Sequence, residues 1–545
     1  MSHLRLVPAF FVICSFVGIW HALPLLSVVF DEQYFVGGVL RAIEMKSIVP
    51  LPGDLPYGTI TFYLNYVLQL PYLFILLVWH GFSAIDLKTY LIIHPEVAYF
   101  VPRLLSACVA TGIAILYDRF LRSEGLSVAH RFASLSVIFA TVVSTVTLHT
   151  GKMWVLSTAL AAASALCTYV ALKHSAESVP VPRFGPIFFA IVLAFAAFAN
   201  FPLYGIFLIN IPILFIASRH DALQKRALLT GLLGGGLLFL AVLAANIENI
   251  YALVVSTLTN EIFRSWGSEV SGADTFSFFT SLGFHAQQVF VAFPLVILVL
   301  AMAAAARAIE NKRLFFFSIG YASLYFLTIA MVVPHVSDTG RVLHYLFPLA
   351  FFFSGAIVSI TFTKMRLVLW GFCCVQTIAL VYILYLLSVP TTYNVAARYV
   401  VQDFNQDDAL IINDVVELDL PLNKRTANLL HDEVCESKCQ YWRASVEDAD
   451  FTSAVLTKLG ERGSVDLSQY SRVLLVTDKV PDEACAPKPT ISFRGGSSDG
   501  TYADVEYNLG HYLHVDFWRL SRLGKNLKLY ELTRTCAADV LGATE

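Results

Sequence analysis

No side chain with a formal charge occurs between Leu6 and Val29, and eleven further apolar stretches follow before residue 390. They lie near 59–80, 101–118, 132–149, 154–172, 184–199, 203–217, 227–247, 288–306, 314–333, 343–363 and 367–388. A helix needs roughly 20 apolar residues to cross the hydrocarbon core of a bilayer. Backbone exposed to lipid must satisfy its own hydrogen bonds, which such helices do. The pattern therefore restricts the chain to a polytopic α-helical membrane protein. Composition agrees, since 14% of the 545 residues are charged against roughly 25% in soluble domains. The net charge of −3 says nothing about partners. Arg5 before an apolar stretch imitates a signal peptide, but the stretch is too long and no small-x-small site follows, so an uncleaved anchor is expected.

Basic residues set the expected sidedness. If 59–80 does not cross, the inner loops hold Arg119, Arg122, Arg131, Lys173, Arg183, Arg219, Lys225, Arg226, Arg307, Lys312, Arg313, Lys364 and Arg366. The short outer connections then keep Lys152, Arg264 and Arg341. If 59–80 does cross, these clusters all change sides. The expectation is about eleven transmembrane helices, an inner N-terminus and an outer C-terminus. The 59–80 segment begins Leu55-Pro56-Tyr57-Gly58-Thr59 and carries Tyr63, Asn65, Tyr66 and Gln69, which suits an interfacial or re-entrant helix. With a short helix over 33–46, it makes the first outer loop, 30–100, a shelf of interfacial helices.

From Thr392 onward charges become frequent and no spanning stretch remains. A helix is expected at 395–404, with strands at Ala409–Ile412, Arg472–Thr477 and Leu527–Leu532. The division is a membrane module, 1–391, and a soluble α/β domain, 392–545, outside the membrane. Cys14, Cys108, Cys167, Cys373 and Cys374 fall in apolar spans, where cysteine acts as a small hydrophobe. Cys435, Cys439, Cys485 and Cys536 fall in the tail and suggest two disulfides. The rival for the first two is a metal site with His431, Asp432 and Glu433.

Candidate chemistry gathers at the outer ends of the spans. Asp31 and Glu32 follow the first apolar stretch directly. A carboxylate there can serve as a general base or bind a divalent metal, while the structural alternative is an N-cap and helix-dipole partner. His149, Lys152 and Trp154 cluster before one span, and His335, Arg341, His344 and Tyr345 before another. Lys152 and Arg341 suit a phosphate or a snorkelling anchor. The histidines suit satisfied core or loop positions, and Trp154 and Tyr345 an aromatic belt.

The Asp31-Glu32 pair after the first span, the Pro56-Tyr57-Gly58 entry to an aromatic helix and Arg103-Leu104-Leu105-Ser106-Ala107 resemble the GT-C membrane glycosyltransferases. The late Arg341-Val342-Leu343-His344-Tyr345-Leu346-Phe347-Pro348 resembles a segment of the same group. The nearest branch is that of the polyprenyl-phosphate-sugar enzymes akin to aminoarabinose transferase and protein O-mannosyltransferases. The resemblance covers roughly residues 1–390. It implies a sugar donor on a polyprenyl phosphate, an acceptor approaching from outside and a catalytic acidic residue in the first outer loop. It does not fix whether the acceptor is an envelope lipid, glycan or protein. The absence of long loops and the compact tail suit a bacterial inner membrane, and no nucleic acid is expected as a partner. Asp31 and Glu32 match the catalytic position, and Arg41, Tyr57, Lys152, Arg341 and Tyr345 are candidates for substrate binding. Many relatives carry an acidic residue where Lys152-Met153-Trp154 stands, so the resemblance leaves a second acidic site and metal use open. The competing class is a transporter or flippase of lipid-linked sugars or small solutes, which would place broken helices and charges at mid-depth.

Overall fold

The computed structural model describes residues 6–23, 32–55, 57–94, 96–177, 184–219, 221–258, 278–305, 309, 311–332, 346–358, 366–403, 409–413, 415, 418, 454–457, 471–481, 489–495 and 515–541. In chain order the helices are α1 (Leu6–Phe16), α2 (Glu32–Glu44), α3 (Thr59–Trp79), α4 (Ala84–Ile93), α5 (Glu96–Ser123), α6 (Val128–Phe139), α7 (Val142–Leu148), α8 (Trp154–Glu177) and α9 (Phe184–Asn200). A 3-10 segment, Pro202–Ile209, leads into α10 (Asn210–Ser218), α11 (Ala222–Ala245) and α12 (Ile247–Leu258). Then come α13 (Phe278–Ala292), α14 (Leu295–Ala305), α15 (Lys312–Val332), α16 (Phe347–Val358), α17 (Arg366–Ser388) and α18 (Thr392–Asp403). The tail adds β1 (Ala409–Asn413), β2 (Ala454–Thr457), β3 (Arg472–Thr477), β4 (Ile491–Phe493), β5 (Leu527–Leu532) and α19 (Arg534–Leu541).

Among the described residues six helices are long and apolar enough to cross a membrane: Thr59–Trp79, Glu96–Ser123, Trp154–Lys173, Ala222–Ala245, Lys312–Met331 and Trp370–Tyr399. Two pairs, α6 with α7 and α13 with α14, bend by 71° and 101° and bring the number to eight if each is one span. Among the described residues this is a helical membrane protein with six to eight candidate spans. Two of the expected apolar stretches are broken there for local reasons. Helix α1 ends at Phe16, because the chain turns at Gly18, whose φ of +89 leaves the helical region. Helix α9 stops at Asn200 because Pro202 follows, and the next apolar stretch is divided between the 3-10 segment and α10.

The chain divides into two compact units, one of Met1–Val17, Gly38–Val67 and Pro102–Leu384, the other of Gly18–Gly37, Leu68–Val101 and Tyr385–Glu545. In the first, α9 packs against both α8 and α11. Small residues make this close: Ala171, Ala190 and Ala227 are buried together with Ile187, Ile191, Leu214 and Leu228. At Gly235 a side chain would strike the Phe195 ring, so the glycine is what admits that ring.

The same unit has two polar ends joined by α8. At one end Ser157 takes a hydrogen bond from Asn200. At the other Lys173 pairs with Glu124 at 3.0 Å, and Asn311 donates to the same carboxylate at 2.9 Å. Nearby Asp118 is held by Arg131 at 2.6 Å and Arg122 at 2.9 Å, with the Asp118 and Arg131 side chains 2% and 1% exposed. Met153 and Lys173 are separated along α8 by about 30 Å at 1.5 Å per residue, the thickness of a hydrocarbon core.

Helix α3 is amphipathic in the sense that lipid demands. Thr61, Asn65 and Gln69, four residues apart, are buried, while Val67, Phe74, Ile75 and Val78 are exposed. Polar groups turned inward and apolar groups outward avoid placing amides in hydrocarbon.

In the second unit the tail forms a five-stranded sheet in the order β2-β1-β3-β5-β4. Strand β1 is parallel to β2 and β3, and β5 is antiparallel to β3 and β4. The strands expected at Ala409–Ile412, Arg472–Thr477 and Leu527–Leu532 are the central three. Apart from exposed Arg472, every residue of β3 is buried, which is why it reads as an unbroken apolar run. Helix α18 is capped reciprocally: Asn394 N–H donates to Thr391 Oγ1 at 3.1 Å, and Thr391 N–H to Asn394 Oδ1 at 3.2 Å. Cys536 is disulfide-bonded, whereas Cys14, Cys108, Cys167, Cys373 and Cys374 are free. Cys435, Cys439 and Cys485, with His431, Asp432 and Glu433, lie outside the described residues.

Candidate functional site

The loop between α2 and α3 contains Pro52, Gly53 and Gly58, so it cannot hold its own shape by helix or strand bonds. Three asparagines hold it instead. Asn249 accepts from Gly53 N–H at 2.9 Å through Oδ1 and donates to Leu51 O at 3.0 Å. Asn246 donates to Leu55 O and to Thr59 Oγ1, both at 3.1 Å. Asn200 accepts from Thr61 N–H at 3.0 Å and donates to Ser157 Oγ at 2.8 Å, and its backbone carbonyl takes Gly58 N–H at 2.7 Å. The Thr61 N–H belongs to the first turn of α3, where a helix leaves donors unsatisfied.

Inside the loop Arg41 forms an ion pair with Asp54. Asp54 also accepts from Leu51 N–H at 2.8 Å, and Gly38 allows its approach, since a Cβ there would stand 3.1 Å from Oδ1. Arg41, expected as a substrate ligand, thus clamps α2 to the loop.

Beyond the loop runs a chain of rings. Tyr57 meets Phe201 edge-on with centroids 5.7 Å apart, and Phe201 meets Trp154 edge-on at 6.0 Å. The Lys152 ammonium lies 5.2 Å from the Trp154 ring centroid. A cation over a desolvated indole gains from the ring quadrupole. Lys152 is 2% exposed and Trp154 7%. Neither is at the lipid surface, so the snorkelling and aromatic-belt readings of these two residues do not hold.

His149 is also buried, with Nδ1 2.6 Å from Thr145 O and Nε2 3.1 Å from Cys14 O. That is the satisfied core histidine of the structural reading. The Arg103 guanidinium acts electrostatically on its ring, and Arg103 is fully buried. Arg103 therefore adds a second cation near the His149-to-Trp154 segment. Its motif drew notice in the sequence, its charge did not.

The structure brings Tyr57 and Lys152 together through Phe201 and Trp154, and keeps Arg41 with Asp54. Glu32 is the first residue of α2 and is 1% exposed. Asp31, Arg341, Tyr345, His335 and His344 lie outside the described residues. Asn200, Asn246, Asn249 and Asp54 organise the loop, and no motif in the sequence marks them for it. Asn65 was named only as part of a semi-polar helix. It is 1% exposed, and neither its Oδ1 nor its Nδ2 has a hydrogen-bond partner. Leaving a buried donor or acceptor unsatisfied costs about 1–3 kcal/mol. Comparison of the chain with family models, curated proteins and solved structures finds no match.

Proposed function

We propose that this chain is an integral-membrane glycosyltransferase that moves a sugar from a polyprenyl phosphate to an acceptor at the outer membrane surface. The observation that carries the reading is the union of the first-loop residue Tyr57 with Lys152 at one end of α8, through Phe201 and Trp154. A lipid-phosphate sugar needs its chain in the bilayer and its headgroup at a membrane edge, with cations for the phosphate and rings for the sugar. Lys152 and Arg103 supply buried cations, and Tyr57 and Trp154 supply rings.

In the reaction, the acceptor oxygen attacks the anomeric carbon as Asp31 takes its proton, and the carbon–oxygen bond to the phosphate breaks. The electron pair leaves with the polyprenyl phosphate, whose charge Lys152 and Arg341 stabilise. Inversion follows from the single displacement. Glu32 supports Asp31, Tyr345 joins Tyr57 at the sugar, and Arg41 shapes the loop. For an anionic acceptor no base is needed, and Asp31 would position it or hold a divalent cation.

The eleven-span arrangement belongs to the same proposal. Thr61 is bound to Asn200 at the Ser157 end of α8, and Arg103 acts on His149, four residues before Met153. Helix α5 then carries the chain to Glu124 at the opposite end, beside Lys173. The chain thus begins α3 and α5 at the same end, which favours α3 as a helix that enters and does not cross. An outer face for that end follows from the arginines and lysines of the other.

The test compares wild type with Asp31→Asn in membranes given labelled polyprenyl-phosphate sugars and an envelope extract. Transfer by wild type, lost in the variant at equal protein levels, is expected. Equal transfer by both removes Asp31 from the chemistry. No transfer by either, with movement of lipid-linked sugar across sealed vesicles, replaces the reading with a flippase.

A further inference from the structure

The buried face of α3 offers Thr61, Asn65 and Gln69 at successive turns, and only Asn65 lacks any partner among them. Thr61 is occupied by Asn200, and Gln69 donates to Ala98 O at 2.7 Å. Asn65 is a short, neutral side chain with two donors and an acceptor that can take two bonds. Its backbone neighbours are helical, so no local turn explains its choice over leucine or alanine, which would suit both helix and burial better. Residues four apart on a helix are neighbours, about 6 Å apart between Cβ atoms. Asn65 is therefore one turn from Thr61, whose partner Asn200 reaches Ser157 at 2.8 Å and Met153 O at 3.5 Å, next to Lys152 in sequence.

We infer that Asn65 is a specificity-determining residue that hydrogen-bonds hydroxyl groups of the transferred sugar, an inference that rests on the glycosyltransferase reading. A carboxamide matches a pair of neighbouring hydroxyls, giving to one and accepting from the other, and being uncharged it has no preference for phosphate. Division of labour follows: the Lys152 side of the cluster takes the phosphate, and Asn65 takes the sugar. In the free protein the amide is enclosed and unsatisfied. Entry of the headgroup displaces the side chains that cover it and supplies the missing bonds, so sugar binding gains what the empty site lacks.

The experiment uses the full chain in nanodiscs and two probes, a short-chain polyprenyl-phosphate hexose and the same polyprenyl phosphate without sugar. Asn65→Leu is expected to weaken the hexose probe about tenfold, the loss of one or two hydrogen bonds, and to leave the bare phosphate within about twofold. Its melting temperature should equal or exceed that of wild type, since an unsatisfied amide is removed. Asn65→Gln, which keeps the carboxamide, should recover part of the hexose affinity. If Asn65→Leu weakens both probes alike or neither, or lowers the melting temperature while Asn65→Gln restores only stability, the assignment of Asn65 is overturned and the enzyme reading stands. If wild type binds neither probe, the enzyme reading falls and this inference with it.

Discussion

The Asn200 carboxamide takes both hydrogens that Thr61 offers, the backbone N–H at 3.0 Å and the hydroxyl at 3.2 Å, although the two residues are 139 positions apart. The bond fixes where α3 begins, and through Ser157 it fixes that point to α8. Asn200→Ala should lower stability by about 2–4 kcal/mol, because buried groups of Thr61, Ser157 and Met153 lose their partner at once. Thermal unfolding in detergent would show it. A change within about 0.5 kcal/mol, the size of an ordinary surface substitution, would mean that the loop is held elsewhere.

Arg41 and Asp54 allow a sharper test of structure against chemistry. If Arg41 acts as a clamp, Arg41→Ala, Asp54→Ala and the double variant should all lose a similar amount, with strong coupling in a double-mutant cycle. A direct role at the phosphate would instead raise KM in Arg41→Ala alone and leave Asp54→Ala near wild type. Melting curves and donor titrations on the same four proteins separate the two.

At the other end of α8, Asp118 and Arg131 are a buried ion pair. Asp118→Asn should cost about 3–5 kcal/mol, since it leaves a guanidinium buried without its counter-charge. Asp118→Leu with Arg131→Met should recover most of that loss, because the desolvation cost of both ions is removed together. Equal losses in the single and double variants would show that the pair is needed for a reason other than charge balance.

Sidedness can be read chemically in a background without the exposed cysteines Cys108 and Cys374. Met45 is 70% exposed, Val128 42% and the His94 side chain 46%. Met45→Cys and His94→Cys should react with an impermeant maleimide from the same face, and Val128→Cys from the opposite one. Reaction of Met45→Cys and His94→Cys from different faces would make α3 a crossing helix and remove the eleven-span arrangement.

The three central strands of the tail sheet were legible because they are short, apolar and bounded by charge. Strands β3 and β5 fall where the apolar strings Arg472–Thr477 and Leu527–Leu532 put them. The helical part was legible in kind, and the breaks within its apolar stretches were not. Hydropathy measures apolarity along the chain, and it does not register a left-handed Gly18 or a Pro202 that shortens a helix. Within the candidate site, charge and aromaticity drew attention to Arg41, Tyr57 and Lys152. The asparagines that set the loop carry no such mark. An amide that bonds two backbone groups, as Asn249 does at Gly53 and Leu51, looks in sequence like one that faces water.

The Asn394 side chain donates to Ala22 O at 3.0 Å and Leu23 O at 3.2 Å, more than 370 positions earlier. Ala22 has a φ of 61, a conformation that alanine does not hold without help. Anyone dividing the gene at 391/392 would therefore cut through the Thr391–Asn394 cap and strip two carbonyls of their donor. In a chimera the turn at 18–23 and the tail would have to be transplanted as a pair, because each carries half of one joint.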